Sequence, residues 1–328
     1  MDKVRFGIIG CGSVTEVKSG PAFQKVPGSS LEMVMRRDAA KLKDYAARHQ
    51  VPRYSTDYLD LLRDPDINAI YVATPPDTHA FYTLEAARHG KAVYVEKPMA
   101  RTVAECETMI SACRSAGVPL FVAYYRRGQP KFLKAKELLE NGALGRVRSF
   151  TYLFACPPPD VDPQRPWLLD KEKAGGGLLY DIGSHMIDTI RFLLGEPLEV
   201  LGRSANLSGK HGTNDVSSAL FRFASGVQGT LQLSFNAAEQ TDRLWISGSE
   251  ASMTLSIMSN EPIVLVRNGE TRRIDFEPMQ HVQQPYIEMV VGSLLGRETL
   301  DSSGKDALLT QELLETIDQS GVWGKPAD

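Results

Sequence analysis

Cysteine is scarce in this 328-residue chain: four residues, Cys11, Cys106, Cys113 and Cys156, with no CxxC pair. That gives no basis for a disulfide framework or a thiolate zinc site, and no metal site is expected. Cys106 and Cys113 stand seven apart in a helical pattern, where thiols behave as small apolar side chains. No run approaches the ~18 consecutive apolar residues of a membrane span. A net charge of -3 makes no electrostatic case for nucleic acid or an anionic membrane. The opening MDKVRFGIIG enters a strand pattern directly and lacks the apolar segment of a secretory signal. A reducing cytoplasm is therefore expected. Internal repeats and low-complexity tracts are missing too.

What is present is alternation. The first ~123 residues alternate short apolar runs with amphipathic ones, the pattern of a parallel α/β sheet. Strands are expected at Val4–Ile9, Leu31–Met35, Ala69–Ala73, Ala92–Val95 and Leu120–Ala123. Helices are expected at 39–49, 56–63, 78–89 and 103–116. The periodicity then changes. A helix over 131–141 and a strand over 147–154 precede a loop at Pro157-Pro158-Pro159, and a helix over 180–194 follows Gly175-Gly176-Gly177. Short strands over 199–276 come next, separated by turn signals such as Asn268-Gly269, a hairpin dipeptide. Helices over 286–295 and 305–319 close the chain. The pattern predicts two domains. A doubly wound nucleotide-binding domain spans residues 1–123, and an α+β domain with a large, mostly antiparallel sheet spans 124–328.

The first strand runs into Gly10-Cys11-Gly12-Ser13-Val14-Thr15. Two glycines suit a tight turn and close approach of a pyrophosphate to backbone N–H groups at a helix start. Thr15 occupies the third glycine position of that fingerprint, and Gly20-Pro21 should interrupt the helix. An acid about 20 or more positions on would mark NAD through its ribose hydroxyl. Here Arg36-Arg37 stand in that place. A guanidinium pair suits a 2′-phosphate, so NADP(H) is favoured, with NAD(H) the alternative. Asp38 follows at once, and would cap the next helix if the arginines sit in solvent. The loop Thr74-Pro75-Pro76-Asp77-Thr78-His79 lies at a strand's C-terminal edge, where doubly wound sheets bind ligands. His79 is read either as a cofactor contact or as a structural hydrogen-bonder. A strand that ends in Glu96-Lys97-Pro98 brings two charges to the same edge.

GxG, TPPxxH, EKP and the later DxGxHxxD, in this order, resemble the Gfo/Idh/MocA oxidoreductases. The likeness extends through YYRRGQP at 124–130, GALGRV at 142–147 and GGGLLYDIGSHMIDTIRFLLG at 175–195. It implies a Rossmann domain with a second open-sheet domain, and dimers or tetramers formed through that sheet's face. It also implies a cis Lys97–Pro98 bond and hydride exchange between a nicotinamide and a sugar or polyol. The catalytic group it implies is Lys97, Asp181 and His185. Expected cofactor contacts are Gly10, Cys11, Gly12, Ser13, Val14, Arg36, Arg37, Thr74, Pro75, Pro76, His79, Glu96 and Lys97, with Trp167 and Tyr286 either bordering the nicotinamide or belonging to a core.

Spacing supports the catalytic group. Asp181, His185 and Asp188 fall at i, i+4 and i+7 of one helix face, while Ile182, Met186, Ile190 and Leu193 form a separate apolar stripe. Singly, each has a plainer reading: a cap, a buried hydrogen-bonder, a solvated charge. As a set they suit alcohol oxidation, with His185 as base, Lys97 polarising the carbonyl and Asp181 orienting hydroxyls. The chain departs from many relatives at Leu168, where an arginine follows the tryptophan, and at Tyr125, where some carry asparagine. Lys18 is read as solvated or as a substrate or phosphate contact. Two other functions remain open: a redox-assisted glycosidase of the same fold, and a non-catalytic NAD(P)-binding sensor.

Overall fold

The computed structural model describes residues 2–158, 165–301 and 303–324; Pro159, the last residue of the proline loop, lies outside them. Two compact units result: Met1–Gln129 with Met279–Gln311, and Pro130–Pro278 with Glu312–Asp328. A single cut after residue 123 therefore does not describe the packing. Tyr125 joins the first unit's core, as do Tyr286, Ile287, Val290 and Val291 of the helix Gln284–Leu294. An apolar helix face reads the same wherever the chain docks it, so linear pattern cannot reveal that return.

The first unit holds six parallel strands, β1 (Val4–Ile9), β2 (Ser29–Met35), β3 (Arg53–Ser55), β4 (Ala69–Val72), β5 (Ala92–Val95) and β6 (Leu120–Val122). Their order is 3-2-1-4-5-6, the doubly wound arrangement whose topological switch point falls between β1 and β4. Alternate residues feed two cores. Phe6, Ile8, Tyr71 and Tyr94 enter one; Ile9, Ile70, Val72, Val93 and Val95 enter the other. Burial on both faces explains why these strands read as continuous apolar runs.

The second unit holds β7 (Val147–Ala155), β8 (Pro197–Ala205), β9 (Val216–Phe223), β10 (Gln228–Ser234), β11 (Thr241–Gly248), β12 (Ser252–Leu255), β13 (Ile263–Arg267), β14 (Glu270–Ile274) and β15 (Val322–Gly324). Sheet order is 14-13-12-11-7-10-9-8-15, with β7 and β10 parallel and the other neighbours antiparallel. Asn268 and Gly269 take φ of 52° and 82° between β13 and β14, the positive pair a two-residue hairpin requires. One face packs Phe150, Tyr152 and Phe154 against Met186, Ile190, Leu313 and Ile317. The apolar stripe expected on the later helix is thus in the core, with Ile182 packed at its edge.

Candidate functional site

β1, β4 and β5 each end in one of the motif loops. After β1, Gly10 takes φ of +93°, and a methyl there would lie 2.5 Å from Thr74 Cγ2, so the loops after β1 and β4 touch. Gly12 differs. Its backbone is extended, and a methyl there would meet only the Gly10 carbonyl, at 3.8 Å. The space over the start of the helix Ser13–Val17 is therefore open, a cradle that a side chain at residue 12 would occupy. Thr15, at the missing third glycine, is fully buried and donates its hydroxyl to the Gly12 carbonyl at 2.9 Å. The threonine fills the place and satisfies its own polar atom. As expected from Gly20-Pro21, the helix stops at Val17 and a second begins at Ala22. Cys11 lines the core side of the loop, and burial pushes its thiol up to about 12, well away from reactivity.

The two arginines after β2 part ways. Arg36 Nη1 donates to the Cys11 carbonyl at 3.1 Å, reaching over the glycine loop, whereas Arg37 is exposed. Asp38 caps the helix Ala39–Arg48, accepting the Lys41 N–H at 3.0 Å, and that bond holds its carboxyl below the ordinary range.

After β4, Pro76–Thr78 form a 3₁₀ turn, and Thr78 Oγ1 donates to the Pro75 carbonyl at 2.9 Å. Asp77, one residue before, lies within that turn. His79 is buried; its Nε2 lies 2.7 Å from the Thr74 carbonyl and its Nδ1 3.0 Å from that of Pro98. The imidazole thus ties the loops after β4 and β5 together. Burial holds its pKa below the ordinary value, against the upward pull of the surrounding carbonyls. Lys97–Pro98 is cis, and Lys97 is half-buried. Glu96 turns inward: Tyr71 Oη donates to it at 2.5 Å and Gln283 Nε2 at 2.6 Å. Tyr286 is buried among the first unit's core residues, its ring centroid 6.4 Å from that of Tyr94.

In the second unit Asp181 does not belong to the α-helix. It stands in a π-helical turn, Leu179–Gly183, and the α-helix runs Ser184–Leu194. Hydrophobic periodicity cannot distinguish the wider turn, a feature frequent at functional sites. Arg165 Nη2 pairs with Asp181 Oδ2 at 2.8 Å, and its guanidinium lies 5.1 Å from the Trp167 ring centroid. His185 and Asp188 are buried, so Asp188 is not a solvated charge. Sequence reasoning missed Arg165 and Gln283, since neither sits in a motif. Arg165, two residues before a tryptophan already singled out, left the stronger signal. Among the described residues no group of three or more His, Cys, Asp or Glu could hold a metal ion.

The family model described as "Oxidoreductase family, NAD-binding Rossmann fold" matches residues 4–124, and the "GFO/IDH/MocA C-terminal domain" matches 132–254. The chain is 36% identical over 324 residues to Oxidoreductase P35 of Formosa agariphila, covering 96% of this chain and 98% of that one. It is 31% identical to the 1,5-anhydro-D-fructose reductase of Ensifer adhaerens, over 81% of this chain and 80% of the relative. Among solved structures, the aldose-aldose oxidoreductase from Caulobacter crescentus, complexed with glycerol, superposes with a TM-score of 0.86 at 28% identity, covering 98% and 100% of the two chains.

Proposed function

The chain belongs to the Gfo/Idh/MocA oxidoreductases, and on that premise we propose that it transfers a hydride between NADP(H) and a sugar or polyol. The observation that carries this reading is the meeting, at the switch point of a 3-2-1-4-5-6 sheet, of an open glycine cradle with the loop after β4, which His79 ties to the EKP loop. The similarity to a named sugar reductase supports the substrate class.

The nicotinamide, when bound, supplies or accepts the hydride. Gly12, Ser13 and Val14 present backbone N–H groups to its pyrophosphate, at the helix start that the open cradle exposes, while Gly10 and Cys11, whose N–H groups donate to the Met35 carbonyl at 2.9 and 3.2 Å, shape the turn beneath it. Arg36 and Arg37 receive the 2′-phosphate, Arg36 already anchored beside the loop by the Cys11 carbonyl. Thr74, Pro75 and Pro76 wall the cleft; His79 braces them through the Thr74 carbonyl, and Glu96 braces the backbone N–H of Lys97. Lys97 places an ammonium where negative charge develops on the carbonyl oxygen. His185 takes the hydroxyl proton during oxidation and returns it during reduction. Asp181, held by Arg165, orients substrate hydroxyls, and Trp167 carries the guanidinium that holds it. In this reading Tyr286 supports the site from the core. A cytoplasmic location also belongs to it, in keeping with four free cysteines.

Assembly through the open sheet completes the proposal. Strand register aligns Val322, Leu201, Leu220, Thr230, Thr151, Trp245, Thr254 and Val264 in one row across the second unit. Leu201, Leu220 and Val322 are 42–62% exposed, and a recess of about 550 Å³ lies among them. A second copy covering that face would bury them as a dimer or tetramer.

The test is a screen of nicotinamide absorbance over sugars, inositols and ketoses, with Lys97→Ala, His185→Ala and the double Arg36→Ala/Arg37→Ala beside the wild type. Turnover in wild type alone, and a NADPH Kd raised far more than the NADH Kd by the arginine pair, are expected. If wild type is silent while cofactor binds, the dehydrogenase reading fails. If both Kd values change equally, the 2′-phosphate assignment fails.

A further inference from the structure

Glu96 is a buried carboxylate directly before Lys97, and Gln283, fully buried, reaches it from 187 residues later in the chain. We propose that Gln283 is a positioning residue for Lys97: acting through Glu96, it fixes where the lysine leaves β5 and so where its ammonium stands. This rests on the catalytic reading of Lys97 given above.

The hydrogen bonds around Glu96 have one allowed polarity, and Tyr71 Oη also lies 3.1 Å from Ser19 Oγ. Glu96 Oε1 accepts from Tyr71 Oη and from Gln283 Nε2, and Oε2 accepts the backbone N–H of Lys97 at 3.2 Å. A carboxylate can only accept, so the amide must turn its NH₂ toward Glu96 and its oxygen away. That oxygen takes the Tyr94 hydroxyl at 3.1 Å. Tyr71 and Tyr94 stack with ring centroids 5.0 Å apart, which fixes both hydroxyls. Burial raises the pKa of both phenols, so they remain donors across the working range.

Gln283 is itself anchored. Its backbone N–H donates to the Lys18 carbonyl at 3.1 Å. Two residues earlier, His281 Nδ1 lies 2.6 Å from the Val17 carbonyl and Nε2 2.6 Å from Lys25 Nζ. The short strap therefore bears on the break in the first helix and on the residue before the lysine at once. A purely structural filler has no need of charge there, since burying a carboxylate costs more than packing an apolar side chain. The charge is explained by the N–H it holds.

Displacing a reacting group by ~1 Å can cost about a hundredfold in rate. Gln283→Met, which keeps volume and removes both polar ends, should lower kcat by about tenfold or more while the cofactor Kd and the substrate KM hold. Tyr94→Phe, which removes only the hydroxyl that orients the amide, is the gentler variant and should move kcat the same way by a smaller factor. Pairing Glu96→Gln with Gln283→Glu restores a donor–acceptor contact with the same net charge. This double variant should recover kcat relative to either single change, a coupling that independent sites would not show. Unchanged kcat despite a lowered Tm would reduce the network to scaffolding and overturn the proposal. So would a kcat loss matched by an equal loss of cofactor affinity. Lys97→Ala is measured in the same series. If it keeps full kcat, the catalytic reading itself has failed; if it is inactive while Gln283→Met and Tyr94→Phe are normal, only the positioning claim has.

Discussion

Gly10 and Gly12 are written alike in the sequence and are held for different reasons. At Gly10 a side chain would be strained by φ of +93° and would crowd both Thr74 Cγ2 and the Thr74 backbone nitrogen. Gly10→Ala should therefore destabilise the fold by roughly 1–3 kcal/mol in urea unfolding. Gly12 has room and an ordinary extended backbone. Gly12→Ala should leave stability within about 1 kcal/mol of wild type, yet raise the cofactor Kd by about tenfold, equal to ~1.4 kcal/mol. Equal stability losses from the two variants would contradict the distinction. The motif glycines, Lys97, Asp181 and His185 could be singled out from the sequence because each is a residue type tied to a place in the pattern. Arg165 and Gln283 could not, because their meaning lies in partners far along the chain. In the sequence Asp38 reads as a cap if the arginines sit in solvent; its bond to the Lys41 N–H makes it a cap, with Arg37 exposed and Arg36 held by the Cys11 carbonyl.

Among the elements, strands were legible where alternation or continuous burial shows them. β3 and β15 have three residues each with little buried surface, too short for a periodic signal. The π-helical turn at Leu179–Gly183 was hidden because apolar spacing over so few residues fits an α-helix equally. The first helix shows how a short element is held despite its length. Arg48 donates twice to Glu16, at 2.7 and 2.9 Å, and His49 lies 2.8 Å from it. Those bonds, Arg48 foremost, lower the Glu16 carboxyl from an ordinary 4.5 to about 2. A folded value below the unfolded one stabilises fully above the unfolded pKa and is lost as pH falls through the folded one. The Tm gap between wild type and Arg48→Ala should therefore be constant above about pH 5 and close between about pH 4.5 and 2. A gap that persists to the acid limit would contradict this linkage.

For the whole molecule, the second unit's sheet poses the clearest question. One face is filled by the helices' apolar residues, while the other carries an exposed row that includes Leu201, Leu220 and Val322. Leu201→Lys with Leu220→Lys places two charges in that row without touching the core. Light scattering should show the proposed assembly of the wild type reduced to single chains with unchanged circular dichroism. An unaltered mass would refute assembly through this face. Among the described residues no helix is long and apolar enough to cross a membrane. The central claim, net hydride transfer to or from a sugar, is tested most directly with cofactor deuterated at the carbon that carries the hydride. The enzyme is incubated with this cofactor and the keto-sugar found in the screen, and the product is weighed by mass spectrometry. The account predicts one deuterium in each product molecule and one cofactor oxidised per product. Product formed without cofactor consumption would point to a redox-assisted glycosidase, and no product from an enzyme shown to bind both partners would contradict the account outright.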